Sequence, residues 1–167
     1  IGGKDKSFKQ IKDAKEGLKK EGADKAALDA AIAKIGYPSV LKTTRFGYDG
    51  KGQVVLKTEA DKAEAMKLAA DNICVLEAWV PFTKELSVMI VRNQKGEATV
   101  FPVSENIHIN NILHESIVPA RVTAAVAEKA NKAAHKIADA LQLVGTLGIE
   151  MFLAADDAIF INELAPR

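Results

Sequence analysis

Short apolar runs alternate with polar breaks along most of the chain, a pattern that predicts more strands and hairpins than helices. The clearest case lies near the C-terminal end, where apolar runs at residues 149–153 and 158–161 flank the turn-forming pair Asp156-Asp157. We predict a β-hairpin there, because two strand-like runs joined by turn residues are typical of that structure. A turn centred between the two aspartates places Glu150 directly opposite Glu163.

This predicted pairing of two carboxylates is the first indication of a functional site. Like charges at directly opposite positions destabilise an antiparallel pair of strands. A hard divalent ion such as Mg²⁺ relieves that repulsion, and it binds one or two carboxylates together with phosphate oxygens. The alternative is that one of the two glutamates lies at a strand end and is simply hydrated. The spacing alone leaves both interpretations open.

The remaining pattern predicts strands and helices in mixed order. Strands are predicted at residues 39–43, 54–57, 84–92 and 98–103, and helices at residues 4–21, 24–35, 58–70 and 121–143. Because hairpins dominate, we predict an α+β fold with largely antiparallel sheets. In the polar segment 104–116, His108 and His114 make a poor transition-metal site without a cysteine partner. These two histidines are interpreted instead as hydrogen-bonding groups or as loop residues.

A glycine-rich segment follows the strand that ends in Lys42. Three glycines in six residues can bring backbone N–H groups against an anion, although the P-loop spacing is absent. A structural turn is the alternative. The neighbouring basic and acceptor groups favour a mobile lid over phosphates. The segment consists of Gly47, Tyr48, Asp49, Gly50, Lys51, Gly52 and Gln53.

Composition narrows the class of protein. The 167 residues are 48% apolar and 27% charged with a net charge of +1, which is a globular profile and gives no indication of nucleic-acid binding. The single cysteine, Cys74, lies in an apolar run and is expected to be buried. No apolar stretch approaches the length of a membrane span and no signal-peptide pattern opens the sequence. We therefore expect a cytoplasmic protein without a membrane partner.

Four segments together resemble the ATP-grasp enzymes, and among these the branch that carboxylates aminoimidazole ribonucleotide in purine biosynthesis. They are GYPSVLKTTRFGYDGKGQ (36–53), LEAWVPFTKELS (76–87), PVSENIHINNIL (102–113) and the pair GIEMFL and FINELAPR (148–153 and 160–167). The resemblance implies a small lobe at residues 24–80, which carries the lid, and a larger lobe at residues 81–167. Residues 1–23 are predicted to be a Lys-rich helical segment outside it. Since the family extends beyond both ends, we expect the chain to be the ATP-grasp portion of a longer enzyme.

The resemblance also implies roles for individual residues. ATP would be held by phosphate contacts from Lys42 and His108, by the lid at residues 47–53, and by Glu85 at the ribose. Lys51 and Arg167 would act on the transferred phosphate. Mg²⁺ would be bound by Glu150 and Glu163, with Asn162 beside them. The adenine pocket would be lined, largely through backbone groups, by Glu77, Ala78, Trp79 and Val80.

The reaction implied by the resemblance is an ATP-dependent ligation that forms a C–N bond. ATP converts bicarbonate to carboxyphosphate, and the amine of aminoimidazole ribonucleotide then takes up the carboxylate, without a covalent nucleophile from the protein. The family implies a homodimer for the full-length enzyme. The alternatives are another ATP-grasp carboxylate–amine ligase, a nucleotide-binding module without catalysis, and a structural fragment without a ligand.

Overall fold

The computed structural model describes residues 15–18 (as backbone), 25–45 and 51–167. The chain divides into two compact units between Trp79 and Val80. Every strand pairing in the described residues is antiparallel, which confirms the predicted α+β class. No helix among these residues is long and apolar enough to cross a membrane.

The first unit is a four-stranded sheet with helices on one face. Its strands are β1 (Lys15–Leu18), β2 (Ser39–Thr43), β3 (Gln53–Leu56) and β4 (Cys74–Ala78), in the order β1-β4-β2-β3. The helices are α1 (Lys25–Ile35) and α2 (Lys62–Ala70), and α2 follows a 3₁₀ turn at Glu59–Asp61. Cys74 is buried, as its apolar surroundings predict.

Local sequence accounts for the ends of these helices. Gly36 has a φ of +82°, and its N–H donates to the carbonyl of Ile32 at 2.7 Å, so it ends α1 as predicted. Before α2, the Asp61 carboxylate accepts from the backbone N–H groups of Lys57 and Thr58, both at 2.8 Å. These bonds satisfy N–H groups that have no partner inside the helix, which confirms the helix start predicted at Thr58.

Alternation along the strands gives this sheet two different faces. Leu41 pairs with Leu76, and both are fully buried against Leu28 and Ile32 of α1 and Ala65 of α2. The intervening residues of the same strands point to the opposite face, because successive side chains in a strand alternate. That second face carries the polar residues described below.

The second unit is a six-stranded sheet covered on one face by a single long helix. Its strands are β5 (Phe82–Arg92), β6 (Ala98–Val100), β7 (Ser104–Ile109), β8 (Ile112–Ile117), β9 (Gly145–Ala154) and β10 (Ile159–Pro166). The order is β10-β9-β5-β7-β8, with β6 also paired to β5. Helix α3 (Ala124–Ala140) begins at Thr123, whose hydroxyl accepts from the Val126 N–H at 3.3 Å. Its buried face packs on the core side of the sheet.

One sequence-based prediction of secondary structure is wrong, and one segment has a structure that was not predicted. The helix predicted at residues 4–21 is contradicted at Lys15–Leu18, which form a strand paired with β4. The other residues of the predicted helix lie outside the described residues. The segment 104–116 is a hairpin of β7 and β8. Its turn residues Asn110 and Asn111 have φ angles of 52° and 63°, the left-handed pair of a type I′ turn. Helix α3 is also shorter at both ends than the predicted 121–143.

Candidate functional site

The face of the second sheet opposite α3 carries a row of polar side chains. Leu86 and Val88 of β5 and Ile149 and Met151 of β9 are buried beneath the helix. The residues between them, Glu85, Ser87 and Glu150, must therefore face the other way. Alternation thus separates an apolar core from a polar surface, and Glu85 and Glu150, a predicted nucleotide residue and a predicted metal residue, lie on that surface.

Glu150 and Glu163 are directly opposite each other in the β9–β10 ladder, so the predicted pairing is confirmed. The predicted turn geometry is wrong, however. Phe160 pairs with Phe152 and Ile161 with Met151, which centres the turn on Asp156 rather than between the two aspartates.

A β-bulge accounts for the difference. The register shifts by one residue between Ile161 and Glu163, and Asn162 is the extra residue. Without this shift Glu163 would pair with Ile149, whose side chain faces the helix. Because a one-residue slip exchanges the two faces of a strand, the bulge is what puts Glu163 on the same face as Glu150.

Four neighbouring charged groups act on the carboxyl of Glu150. Burial raises the pKa of the Glu150 carboxyl, and the negative charges of Glu163 and Glu85 raise it further. His108 and Arg167 act in the opposite direction. Glu150 is therefore a partly desolvated carboxylate beside two others, an arrangement that a bound cation would stabilise.

His108 lies next to Glu85 on this surface. Its Nδ1 is 3.2 Å from Glu85 Oε2, a distance suited to an ion pair if the imidazole is protonated. Nδ1 is nevertheless a buried atom without a hydrogen-bond partner among the described residues. The contact is therefore a close approach of two side chains rather than a formed hydrogen bond.

Arg167 and Asn162 complete this group. The Arg167 backbone N–H donates to the Thr146 carbonyl at 3.1 Å, which ties the residue to the start of β9 while its side chain is exposed. Asn162 is half-buried at the bulge next to Glu163. Across residues 25–45 and 51–167, no three His, Cys, Asp or Glu side chains are arranged to hold a metal ion by themselves. A cation here would need further ligands from a bound molecule.

The first unit has a polar surface of its own, on the face away from its helices. Lys42 Nζ lies 2.9 Å from Glu77 Oε2, and Lys42 pairs in register with Gln53. The two charged residues are diagonal neighbours, since Val40 is the direct partner of Glu77. This surface therefore presents a lysine that is held by a carboxylate and remains 31% exposed.

Backbone pairing continues past Glu77 to the end of β4. Ala78 pairs with Ser39, and the Trp79 N–H donates to the Pro38 carbonyl at 3.1 Å. The Trp79 side chain is 41% exposed. In the second unit, the Val80 carbonyl accepts from the Phe82 N–H at 2.9 Å.

The predicted glycine-rich lid is described only at its end. Gly52 has a φ of +74°, which glycine adopts without strain, and its carbonyl accepts from the Thr43 N–H at 2.8 Å. Lys51, which precedes Gly52 in the chain, forms a single isolated β-bridge. The other predicted lid residues, Gly47, Tyr48, Asp49 and Gly50, lie outside the described residues.

Sequence reasoning missed the most strongly connected carboxylate in the second unit. Glu105 is 4% exposed and accepts from Lys84 Nζ at 2.7 Å and from Arg121 Nη2 at 2.6 Å, Nε at 3.0 Å and the backbone N–H at 3.2 Å. The Arg121 guanidinium, followed by Lys84, lowers the pKa of Glu105 to about 2. Glu105 pairs with Leu86, so it lies on the helix side of the sheet, away from Glu150.

Lys84 and Arg121 also line a cavity of about 550 Å³ on that side, together with Thr123 and Leu153. Both cations bind Glu105, so we assign this network to folding rather than to chemistry.

The chain is similar to known proteins in both sequence and fold. A family model described as the ATP-grasp domain matches residues 20–167. The N5-carboxyaminoimidazole ribonucleotide synthase of Bacillus subtilis (strain 168) is 52% identical over 143 residues, which cover 86% of this chain and 38% of that protein.

Two solved structures extend the comparison. An N5-carboxyaminoimidazole ribonucleotide synthetase in complex with ADP superposes with a TM-score of 0.87 at 54% identity, over 97% of this chain and 43% of that one. The Aspergillus clavatus N5-carboxyaminoimidazole synthase, in complex with ADP and 5-aminoimidazole ribonucleotide, gives a TM-score of 0.79 at 30% identity, over 90% of this chain and 38% of that one. The chain therefore spans less than half the length of each of these relatives.

Proposed function

The chain belongs to the ATP-grasp family, and from this premise we propose that it is the nucleotide-binding core of an enzyme that carboxylates 5-aminoimidazole ribonucleotide with bicarbonate. The family match agrees with the resemblance found in the sequence. The substrate assignment is supported by the 52% identity to a synthase of that name and by a similar structure that contains ADP and the ribonucleotide. Both relatives are longer than this chain, so the complete reaction is assigned to the whole enzyme.

The observation that carries the proposal is the pairing of Glu150 with Glu163. Two carboxylates supply the hard oxygen ligands that Mg²⁺ prefers, and Mg²⁺ commonly takes only one or two of them together with substrate phosphates. The lack of a third protein ligand among the described residues agrees with such a shared site. Burial and the neighbouring carboxylates raise the pKa of Glu150, and a bound cation would stabilise its ionised form. These two residues therefore fit Mg²⁺, with Asn162 beside them.

Residues of the second unit would act on the phosphates and the ribose. Mg²⁺, when bound, would neutralise charge on the phosphate oxygens of ATP. Arg167 and His108 would donate to the transferring phosphoryl group or its neighbours. Glu85 would accept hydrogen bonds from the ribose hydroxyls, since a carboxylate is a strong acceptor.

Residues of the first unit would hold the rest of the nucleotide. Lys42 would exchange its contact with Glu77 for one with the phosphates. The backbone groups of Glu77, Ala78, Trp79 and Val80, the last from the second unit, would bind adenine. The lid at residues 47–53 would close over the phosphates, with Lys51 close to the transferred group, and would exclude water that hydrolyses reactive intermediates.

The proposed reaction has two steps. A bicarbonate oxygen attacks the γ-phosphorus of ATP, ADP leaves, and carboxyphosphate forms. The amine nitrogen of the ribonucleotide then attacks the carboxyl carbon, the C–O bond to phosphate breaks, and the nitrogen loses a proton. The protein contributes position and charge stabilisation rather than a covalent nucleophile. A cytoplasmic location and a homodimer remain predictions that accompany this assignment.

The proposal is tested by phosphate release from ATP in the purified enzyme that carries this chain. We expect release only when the ribonucleotide and bicarbonate are both present, and loss of most turnover in Glu163→Gln with the fold intact. Glu128→Gln is a matched control, because Glu128 lies on the exposed side of α3 and forms a surface salt bridge with Lys132.

Three results would contradict the proposal. Turnover retained in Glu163→Gln would remove the metal assignment. Release with formate or acetate, and none with bicarbonate, would move the enzyme to another ATP-grasp reaction. ATP binding without any phosphate release would indicate a nucleotide-binding module.

A further inference from the structure

The polar face of the second sheet also carries a pair of stacked aromatic rings. The rings of Phe82 and Phe152 have centroids 4.4 Å apart and planes that differ by 9°. Phe152 lies on the same face as Glu85, because these two residues are direct partners in the β5–β9 ladder. Phe82 is 36% exposed. A partly exposed aromatic surface therefore borders the carboxylate that the proposed function assigns to the ribose.

A β-bulge puts Phe82 on this face. Phe82 pairs with Ala154 and Lys84 pairs with Leu153, so Thr83 is an extra residue on β5. Residues two apart in a regular strand share a face, so without the bulge Phe82 would lie on the helix side with Lys84. The Thr83 hydroxyl donates to the Leu153 carbonyl at 3.0 Å. This bond ties the bulge to β9 and thereby holds Phe82 against Phe152.

The side chains on this face follow the order of the parts of a nucleotide. Glu150 of the proposed metal site, where the phosphates would lie, is two residues from Phe152 on β9, a distance of about 7 Å. Glu85, which is assigned to the ribose, is opposite Phe152. Phe82 is opposite Ala154, about another 7 Å along β9. The metal site, the ribose contact and the outer ring therefore succeed one another as phosphate, ribose and base do.

We propose that the base of the bound nucleotide stacks on the rings of Phe82 and Phe152, and that Thr83 is a positioning residue that holds Phe82 for this contact. The inference rests on the proposed function, because the positions of the phosphates and the ribose come from the metal site and Glu85. It adds side chains to the backbone groups already assigned to adenine. The Phe82 N–H donates to the Val80 carbonyl at 2.9 Å, so the first ring follows directly after those groups in the chain.

The first test measures the dissociation constant of ADP by calorimetry, with and without Mg²⁺, in the purified enzyme that carries this chain. We expect Phe82→Ala to weaken ADP binding about 5- to 100-fold, the range of base–aromatic stacking. The factor by which Mg²⁺ tightens ADP binding should not change, because the ring lies away from Glu150 and Glu163. A general disturbance of the sheet would instead change this factor and lower the melting temperature without ligand.

Three further variants control for packing. Phe82→Tyr keeps the ring and should bind ADP as the parent enzyme does. Phe82→Leu keeps apolar bulk without a flat ring and should lose affinity for ADP in the same direction as Phe82→Ala. Phe101→Ala removes a phenylalanine that is 55% exposed and whose backbone N–H is bonded to the Met89 carbonyl, and it should leave the ADP constant unchanged.

The second test asks whether Thr83 acts through Phe82. Thr83→Val removes the hydroxyl, keeps the shape of the side chain, and should weaken ADP binding roughly two- to tenfold, the effect of one neutral hydrogen bond. Thr83→Ser keeps the hydroxyl and should bind ADP as the parent enzyme does. In the Phe82→Ala background, Thr83→Val should have no further effect, because the ring that it positions is gone.

The outcomes separate this inference from the function on which it rests. If the parent enzyme binds no ADP, both fall. If Mg²⁺ tightens ADP binding in the parent enzyme and both Phe82→Ala and Phe82→Leu bind ADP as tightly, the stacking contact is wrong and the proposed function stands. A changed Mg²⁺ factor in Phe82→Ala would refute a contact confined to the base. Additive effects of the Thr83 and Phe82 substitutions would refute the positioning role.

Discussion

Replacing Glu105 by glutamine tests the network that joins β5, β7 and the start of α3. The Glu105 side chain is 6% exposed and accepts from Lys84 and from both the side chain and the backbone of Arg121. Glutamine has nearly the same shape, but it replaces one acceptor oxygen by an NH₂ group that faces cationic donors. The change therefore removes charge pairing without creating a cavity.

The expected loss follows from the pKa of the carboxyl. Folding lowers this pKa from 4.5 to about 2, and each factor of ten in acidity corresponds to 1.36 kcal/mol, so the ionised group contributes about 3 kcal/mol at pH 7. Because the pKa is lower in the folded state, the contribution is complete above the unfolded value and is lost as the pH falls from about 4.5 towards 2. At pH 3 roughly half or less remains.

The assay is urea unfolding followed by circular dichroism at pH 7 and pH 3. We expect Glu105→Gln to lower the free energy of unfolding by about 2–3 kcal/mol at pH 7, since it removes the carboxylate charge that Lys84 and Arg121 stabilise. The gap between the two proteins should shrink by about half at pH 3. Glu128→Gln serves again as the exposed control.

Two results would refute this reasoning. A gap that is the same at pH 7 and pH 3 would show that the carboxylate charge is not the source of the stability. A loss no larger than that of Glu128→Gln at pH 7 would show that the network contributes no more than a surface salt bridge.

Substitutions at three further positions test local features of the fold. Ser39→Ala should raise the free energy of unfolding by about 1 kcal/mol, because it removes a buried hydroxyl without a hydrogen-bond partner among the described residues. Unfolding followed by the fluorescence of Trp79, the single tryptophan, measures this change, and a fall in stability would contradict the prediction. Gly148→Ala should lower the free energy of unfolding in urea by about 1 kcal/mol, because the added Cβ would lie 3.2 Å from Met89 Sδ and 3.4 Å from the Ala165 carbonyl oxygen. An unchanged urea midpoint would show that Met89 moves aside freely. Asn111 has a φ of +63°, so Asn111→Val should lower the free energy of unfolding by about 1–2 kcal/mol, whereas Asn111→Gly should not lower it. Equal melting temperatures for these two variants would contradict the turn assignment.

The opposition of Glu150 and Glu163 could be predicted because a hairpin leaves few possible registers. The prediction succeeded although its turn was misplaced by half a residue, since the bulge at Asn162 compensates for that error. A bulge has no strong signal in a single sequence, because it depends on how the strand packs against its neighbours. The pairing was therefore accessible from the pattern of residues, while its cause was visible only in the fold.

Other features depend on contacts that sequence patterns do not contain. Lys15–Leu18 pair with β4 although their lysine-rich context favours a helix, because strand formation depends on the neighbouring strand. Glu105 meets Lys84 and Arg121 across 21 and 16 residues of sequence, so its partners could not be identified in advance. The β7–β8 hairpin did leave a signal, namely alternating isoleucines around an Asn-Asn turn.

The central claim, that Glu150 and Glu163 form a metal site for a bound nucleotide, is tested most directly by calorimetric titration of ADP with and without Mg²⁺. We expect Mg²⁺ to tighten ADP binding at least tenfold in the parent protein, and we expect this effect to vanish in Glu150→Gln while the melting temperature without ligand does not fall, since the substitution removes like-charge repulsion. An equal effect of Mg²⁺ on ADP binding in the parent protein and in Glu150→Gln would contradict the account.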